Sequence, residues 1–93
     1  MDNIMIVDRV SELKARFLTE VCPKARDQYE AKSFSSIISH LQKIEHECRT
    51  GNLTVKRERY GYVARLVAES DPSLLSPDLG GQLIEVEQAY RNL

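Results

Sequence analysis

The stretch FSSIISHLQKIEHEC, residues 34–48, decides the fold. Its apolar residues recur every three or four positions, at Phe34, Ile37, Ile38, Leu41, Ile44 and Cys48. This spacing places them on one face of an α-helix and leaves the opposite face polar. We expect the helix to begin as early as Asp27, with Tyr29 on the same face. It should end between Thr50 and Asn52, because Gly51 accepts the left-handed conformation common just past a helix.

The same period occurs in the N-terminal part of the chain. The apolar positions there are Ile4, Val7, Val10, Leu13, Phe17, Leu18 and Val21. Asp2 or Asn3 is a suitable N-cap. Pro23 lacks an amide proton and its ring clashes with the preceding turn, so this helix should end between Thr19 and Cys22.

Two further helices are predicted in the C-terminal half. Thr54 would cap the third, whose apolar face is formed by Val55, Tyr62, Val63, Leu66 and Val67. A helical glycine costs about 1 kcal/mol relative to alanine, so Gly61 suggests that another helix or a partner backbone comes close. Asp71-Pro72 should end this helix. Ser76-Pro77 should begin the last one, whose apolar residues are Leu79, Leu83, Val86 and Tyr90.

Length and composition set the fold class. A chain of 93 residues with 42% hydrophobic and 29% charged residues is typical of one small folded domain with a thin core, spanning residues 1–93. No segment alternates like a strand over more than four residues. We therefore predict an all-α protein, a small antiparallel bundle of about four helices. The net charge of -1 gives no field that would favour nucleic acid or a membrane.

The N-terminal region has no pattern typical of a secretory signal, so we expect a cytoplasmic protein. In that reducing compartment Cys22 and Cys48 should be free thiols. The oligomeric state is open: a thin core can be completed by self-association, for which Met5 and Ile6 are available apolar residues.

One group of residues suggests a metal site, but its spacing argues against one. On a helix His40 and His46 point about 120° apart, and His46 and Cys48 about 160° apart. The expected arrangement is therefore two solvated histidines and a core-facing Cys48, with no metal.

Pairs of carboxylates give no catalytic signal either. Glu45 and Glu47, like Glu85 and Glu87, diverge by about 160° and are expected on solvated faces. Gly80-Gly81 lies in no phosphate-binding loop. We predict a protein that is not an enzyme and holds no cofactor.

A cluster of basic and aromatic residues occupies the third predicted helix: Lys56, Arg57, Arg59, Tyr60, Tyr62 and Arg65. Such clusters occur on surfaces that bind phosphates and stack on bases. Glu58 interrupts the cluster, and Tyr62 belongs to the apolar face. A solvated helix face, or a polar rim for a protein partner, is therefore favoured over nucleic-acid binding.

Four short segments and their order carry a family resemblance. They are Val7-Asp8-Arg9-Val10, Ser36-Ile37-Ile38 with Leu41, Gly61-x-x-Ala64 and Asp71-Pro72-x-Leu74. In this layout the chain resembles the small all-helical immunity proteins that bacteria encode beside type VI secretion effectors, in particular the family that protects against an NAD(P)+ glycohydrolase toxin. It departs from that family in the basic stretch Lys56 to Arg59 and in the Ser76-Pro77 break.

The resemblance implies a protein without catalysis of its own that binds one cognate toxin and covers its substrate cleft, protecting the producing cell in interbacterial competition. On physical grounds we expect six partner-binding residues around the third helix: Arg59, Tyr60, Tyr62, Arg65, Glu69 and Asp71. The acidic groups could occupy a site that receives phosphates, and the aromatic groups could fill a cleft.

Other functions predict different behaviour. A small adaptor or secretion chaperone would hold a partner helix and change only the yield or secretion of that partner. A nucleic-acid binder would lose affinity steeply with salt. An enzyme would need a cavity with convergent polar groups.

Overall fold

Four α-helices and no strands form the protein, as the periodicity predicts. The computed structural model describes residues 1–93, with α1 at Asn3–Glu20, α2 at Gln28–Thr50, α3 at Val63–Glu69 and α4 at Pro77–Arg91. Two short 3-10 turns, Cys22–Lys24 and Lys56–Glu58, lie in the connections. None of the helices has the length and apolar character needed to cross a membrane.

The ends of the long helices follow the predicted capping residues. Asp2, Asp27 and Ser76 each accept a hydrogen bond from the backbone amide three residues later, which satisfies a donor that the first turn leaves free. Gly51 ends α2 with a φ of 76°, a left-handed conformation that favours glycine. The helices α1 and α2 therefore begin and end within two residues of the predicted positions, and α4 begins at the predicted Ser76-Pro77.

Side-chain contacts establish how α1 and α2 are arranged. Ser11 in the middle of α1 donates to Glu45 in the C-terminal half of α2, at 2.7 Å. Farther along α1 the ring of Phe17 meets the ring of Phe34 edge to face, with centroids 5.7 Å apart. The two helices are therefore antiparallel.

The core lies between α1, α2 and α4, and most of its residues are the predicted ones. Its sixteen buried members are Ile6, Val10, Leu13, Phe17, Val21, Phe34, Ile37, Leu41, Ile44, Cys48, Val63, Leu75, Leu79, Leu83, Val86 and Tyr90. The predicted apolar faces of α2 and α4 are confirmed, with Ile38 half-buried.

The predicted apolar faces of α1 and α2 were wrong at a few positions along their edges. On α1 the buried residue is Ile6, while Ile4 is exposed, because Ile6 lies one turn before Val10 on the face that meets α2 and α4, and Ile4 does not. Ile6 is therefore not available for self-association, whereas Met5 remains on the surface. Leu18 and Tyr29 are also exposed, the first to 47% and the second to 81%.

The largest difference concerns the start of α3. This helix begins at Val63 rather than after Thr54, and residues 52–62 form an irregular connecting segment with a single 3-10 turn. Thr54 caps no helix, and Tyr62 is exposed rather than part of the core. The reason is that Glu47 of α2 and Glu87 of α4 accept hydrogen bonds from backbone amides of the connecting segment. Local periodicity in the sequence does not reveal such contacts.

Gly61 also lies outside the helix, in the connecting segment. A Cβ atom there would be 2.9 Å from Nη1 of Arg91, so the expected close approach is made by an α4 side chain.

Candidate partner-binding surface

Arg59 is the first of three charged residues whose side chains form hydrogen bonds to the backbone of the connecting segment on its inner side. Its side chain is buried, with Nε donating to the Thr54 carbonyl at 2.8 Å and Nη1 to the Tyr90 carbonyl at 3.0 Å. Nη1 also reaches the Leu93 carbonyl at 3.2 Å, and the guanidinium lies 5.5 Å from the centre of the Tyr90 ring. The residue thus places a positive charge on carbonyls at and just past the end of α4, where the Tyr90 carbonyl also accepts from the Leu93 amide at 3.2 Å. We expected Arg59 on a surface, and the structure places it inside.

Glu47 holds the beginning of the same segment. Its carboxylate accepts hydrogen bonds from the Thr54 amide at 2.6 Å, the Thr54 hydroxyl at 3.0 Å and the Tyr90 hydroxyl at 2.8 Å. Burial alone would raise the pKa of Glu47, but these hydrogen bonds outweigh it and keep the pKa below its ordinary value. Burial and the bond to Glu47 raise the pKa of Tyr90 to about 12.

Glu87 holds the end of the segment, where α3 begins. It is almost fully buried, and its Oε2 accepts from the backbone amides of Tyr62 at 3.0 Å and Val63 at 3.1 Å. The same oxygen lies 2.8 Å from Nε2 of His40 on α2. A carboxylate on α4 therefore supplies the cap that α3 lacks in its own sequence.

These contacts correct three expectations about exposure. Glu47 and Glu87 are buried rather than solvated, and His40 is largely covered, because each meets polar atoms of the connecting segment or of its partners. Glu85 and His46 are exposed as expected. One signal in the sequence pointed to the buried pair: Glu47 lies three residues after Ile44, and Glu87 four residues after Leu83, so both fall on apolar faces.

The outer side of the connecting segment carries two exposed tyrosines. Tyr60 is 61% and Tyr62 56% exposed, and their rings meet edge to face at 6.3 Å. The ring of Tyr62 also meets the His40 ring at 4.9 Å. The predicted site residues Tyr60 and Tyr62 thus lie together on one surface, at the edge of α2.

The other predicted site residues lie on or after α3. Arg65 and Glu69 are exposed and form an ion pair one turn apart, at 3.1 Å. Asp71 is exposed, and it accepts from the Ser73 amide at 2.9 Å, a bond that lowers the pKa of its carboxyl. Asp71 therefore stabilises the turn after α3. The six predicted residues thus fall into three groups: the buried Arg59, the exposed tyrosine pair, and three polar residues on or just after α3.

Two depressions flank α3. A shallow groove of about 430 Å³ lies beside Tyr62 and is lined on α2 by Ser35, Ser36, Ile37, Ser39 and His40. A smaller cleft of about 130 Å³ has Glu69 and Asp71 on its α3 side and Tyr29 on its α2 side.

No group of three His, Cys, Asp or Glu side chains is arranged to hold a metal ion. Cys48 is buried and Cys22 half-buried, neither forms a disulfide, and burial raises the pKa of both thiols. Thiols with raised pKa are poor nucleophiles at neutral pH.

The chain matches no family model, no curated protein and no solved structure.

Proposed function

We propose that this protein is an immunity protein that binds a cognate secreted bacterial toxin in the cytoplasm and blocks its active site. The observation that supports it most is the pair of exposed tyrosines, Tyr60 and Tyr62, on a segment fixed by buried hydrogen bonds. Tyrosines are enriched where proteins dock, and these two exposed rings adjoin each other to form one aromatic patch.

The fixed path of the connecting segment favours tight binding. Ordering a loop on association costs about 0.5–1.5 kcal/mol for each side chain that loses its freedom. Here Glu47, Arg59 and Glu87 already hold the backbone under the tyrosines, so much of this cost falls on folding rather than on binding. A stoichiometric inhibitor needs such a preorganised surface and no catalytic group of its own.

The kind of partner comes from the family resemblance. The layout of short motifs along the chain implies a type VI effector, and specifically one that consumes NAD(P)+. On this proposal the tyrosine pair enters the substrate cleft of the toxin, and the charged groups of α3 contact its rim.

Co-expression tests the proposal. Each adjacent reading frame is expressed in a bacterial host alone and together with this protein, and growth is scored before the pair is run on size exclusion. We expect one product that is toxic alone, harmless beside this protein, and eluting with it at one-to-one stoichiometry.

A matched pair of variants makes the experiment specific to the surface. Y60A/Y62A should lose protection while remaining folded, since both side chains are more than half exposed. Leu18→Ala removes a large side chain that is 47% exposed on α1, a helix that carries none of the predicted site residues, and should protect like the wild type. If no neighbour is toxic, or if protection survives in Y60A/Y62A, the proposal is wrong.

The groove beside Tyr62 favours one alternative, an adaptor or secretion chaperone. Its α2 wall carries three serines, small side chains that would let a partner helix approach closely. A partner held in this way would change in yield or secretion while keeping its activity, which the same co-expression experiment would reveal.

A further inference from the structure

A cationic surface adjoins the tyrosine pair. Lys56 and Arg57 lie in the 3-10 turn of the connecting segment, both exposed. Neither takes part in any ion pair of the protein. The third cation is Arg91, whose guanidinium lies against Gly61. One carboxylate, Glu58, accompanies these three cations, so the surface is positive although the chain has a net charge of -1.

The carbonyl oxygens at the end of α4 do not engage the terminal nitrogens of Arg91. Carbonyl oxygens at the last turn of a helix attract cations, and a nearby lysine or arginine is commonly engaged there. In this protein the buried Arg59 already binds the carbonyls of Tyr90 and Leu93. Arg91 gives only its Nε to the Arg59 carbonyl, which leaves its terminal nitrogens for another acceptor.

Lys56 and Arg91 also flank an open groove of about 400 Å³. Its other two lining residues are Gln88 and Asn92, and no hydrophobic side chain contributes. Such a groove suits a carboxylate, which can accept two hydrogen bonds from a guanidinium and one from an ammonium group.

We infer that Lys56, Arg57 and Arg91, with Tyr60 beside them, form the docking surface for an acidic face of a partner protein, whose Asp or Glu side chains enter the groove between Lys56 and Arg91. This inference rests on the proposed function in that it names the chemistry of the toxin surface in contact. An acidic protein is favoured over nucleic acid because three cations on a chain of net negative charge form no continuous basic stripe.

The test uses probes of defined charge, so that it does not depend on having found the toxin. The 15N-labelled protein is titrated at about 0.15 M salt, near physiological ionic strength, with a deca-glutamate peptide, a deca-lysine peptide and a single-stranded oligonucleotide of equal charge. We expect deca-glutamate to shift the amide signals of residues 56–61 and 91, and deca-lysine to leave them in place. Tighter binding of the oligonucleotide than of deca-glutamate would overturn the inference in favour of nucleic acid.

Charge reversal gives the matched comparison. Arg57→Glu should weaken deca-glutamate binding about fivefold, the most that loss of one exposed ion pair is expected to give, and K56E/R57E should abolish the shifts. Lys32→Glu makes the same change of charge at an exposed lysine of α2 and should bind like the wild type. Equal weakening by Lys32→Glu, or shifts that persist in K56E/R57E, would show that the surface is not the docking site.

The same variants separate this inference from the proposed function. If a neighbouring toxin is neutralised equally well by K56E/R57E and by the wild type, the protein is an immunity protein that docks through another surface. If no neighbour is toxic but the peptide shifts appear as expected, the acidic partner is not a toxin.

Discussion

Replacing Arg59 by alanine should destabilise the protein strongly, although the residue belongs to a stretch that looks like surface. Two of its hydrogen bonds are short, to the carbonyls of Thr54 at 2.8 Å and Tyr90 at 3.0 Å. A hydrogen bond made by a charged group contributes about 1.5–3 kcal/mol, so the two together contribute about 3–6 kcal/mol. Water can reach the half-buried Thr54 carbonyl in the variant, which sets the expected loss at about 3 kcal/mol, near the lower end of that range. That is a large share of the roughly 5–14 kcal/mol expected for a chain of this length.

The loss is measured by urea unfolding followed by far-UV circular dichroism, since the chain contains no tryptophan. Arg57→Ala is the control: it removes an exposed arginine two residues away and should change the free energy of unfolding by less than about 0.5 kcal/mol. Arg59→Lys keeps the charge without the planar fork and should lie between the two. Unfolding free energies of R59A and R57A that agree within about 0.5 kcal/mol would refute the structural role assigned to Arg59.

Four other predictions concern the same polar contacts and the glycines of α4. Tyr90 should ionise near pH 12, which is measured as the 295 nm absorbance of the wild type minus that of Tyr90→Phe. Because folding raises the pKa of Tyr90, the stability that this group contributes is present below pH 10 and is lost as the pH rises through 12. Folding lowers the pKa of Glu47, so the stability that its carboxylate contributes above its ordinary pKa of 4.5 is lost as the pH falls through the folded-state pKa. Glu47→Gln should therefore flatten the fall of Tm between neutral and acid pH. An unchanged slope of Tm against pH would contradict this role. Gly81→Ala should stabilise the protein by about 0.5–1 kcal/mol in chemical denaturation, because nothing lies within 4 Å of the added Cβ. Gly80→Ala should stabilise less or destabilise, because its Cβ would lie 3.1 Å from Val67 Cγ1, and a larger gain at Gly80 than at Gly81 would be inconsistent with the packing of α3 on α4.

The sequence was sufficient to predict the helices that build the core. The apolar periods of α1, α2 and α4 extend over three turns or more, and the caps at Asp2, Asp27 and Ser76 make local contacts that need no knowledge of the rest of the fold. Periodicity and capping depend on residues at most four positions apart, so they can be recognised in one dimension.

The connecting segment could not be predicted in the same way. Its path depends on hydrogen bonds between residues far apart in the chain, such as Arg59 to the Tyr90 carbonyl and the Tyr62 amide to Glu87. Arginine and glutamate are rarely buried, so they are expected at the surface unless a partner is known. The tyrosine pair was predicted as a pair of site residues on a helix, and it lies instead on an irregular segment whose path depends on partners in α2 and α4.

The hydrogen bonds under the connecting segment divide its residues into two independent sets. One set makes hydrogen bonds to α2, to α4 or within the segment, and consists of Thr54, Arg59 and the backbone at Tyr62. The other set is exposed and makes no side-chain hydrogen bond, and consists of Lys56, Arg57 and Tyr60. The outward residues can therefore be exchanged freely without unfolding the domain. A library randomised at 56, 57, 58 and 60 on this scaffold should yield folded molecules of altered partner choice, which would make the segment a graftable recognition loop on a helical support.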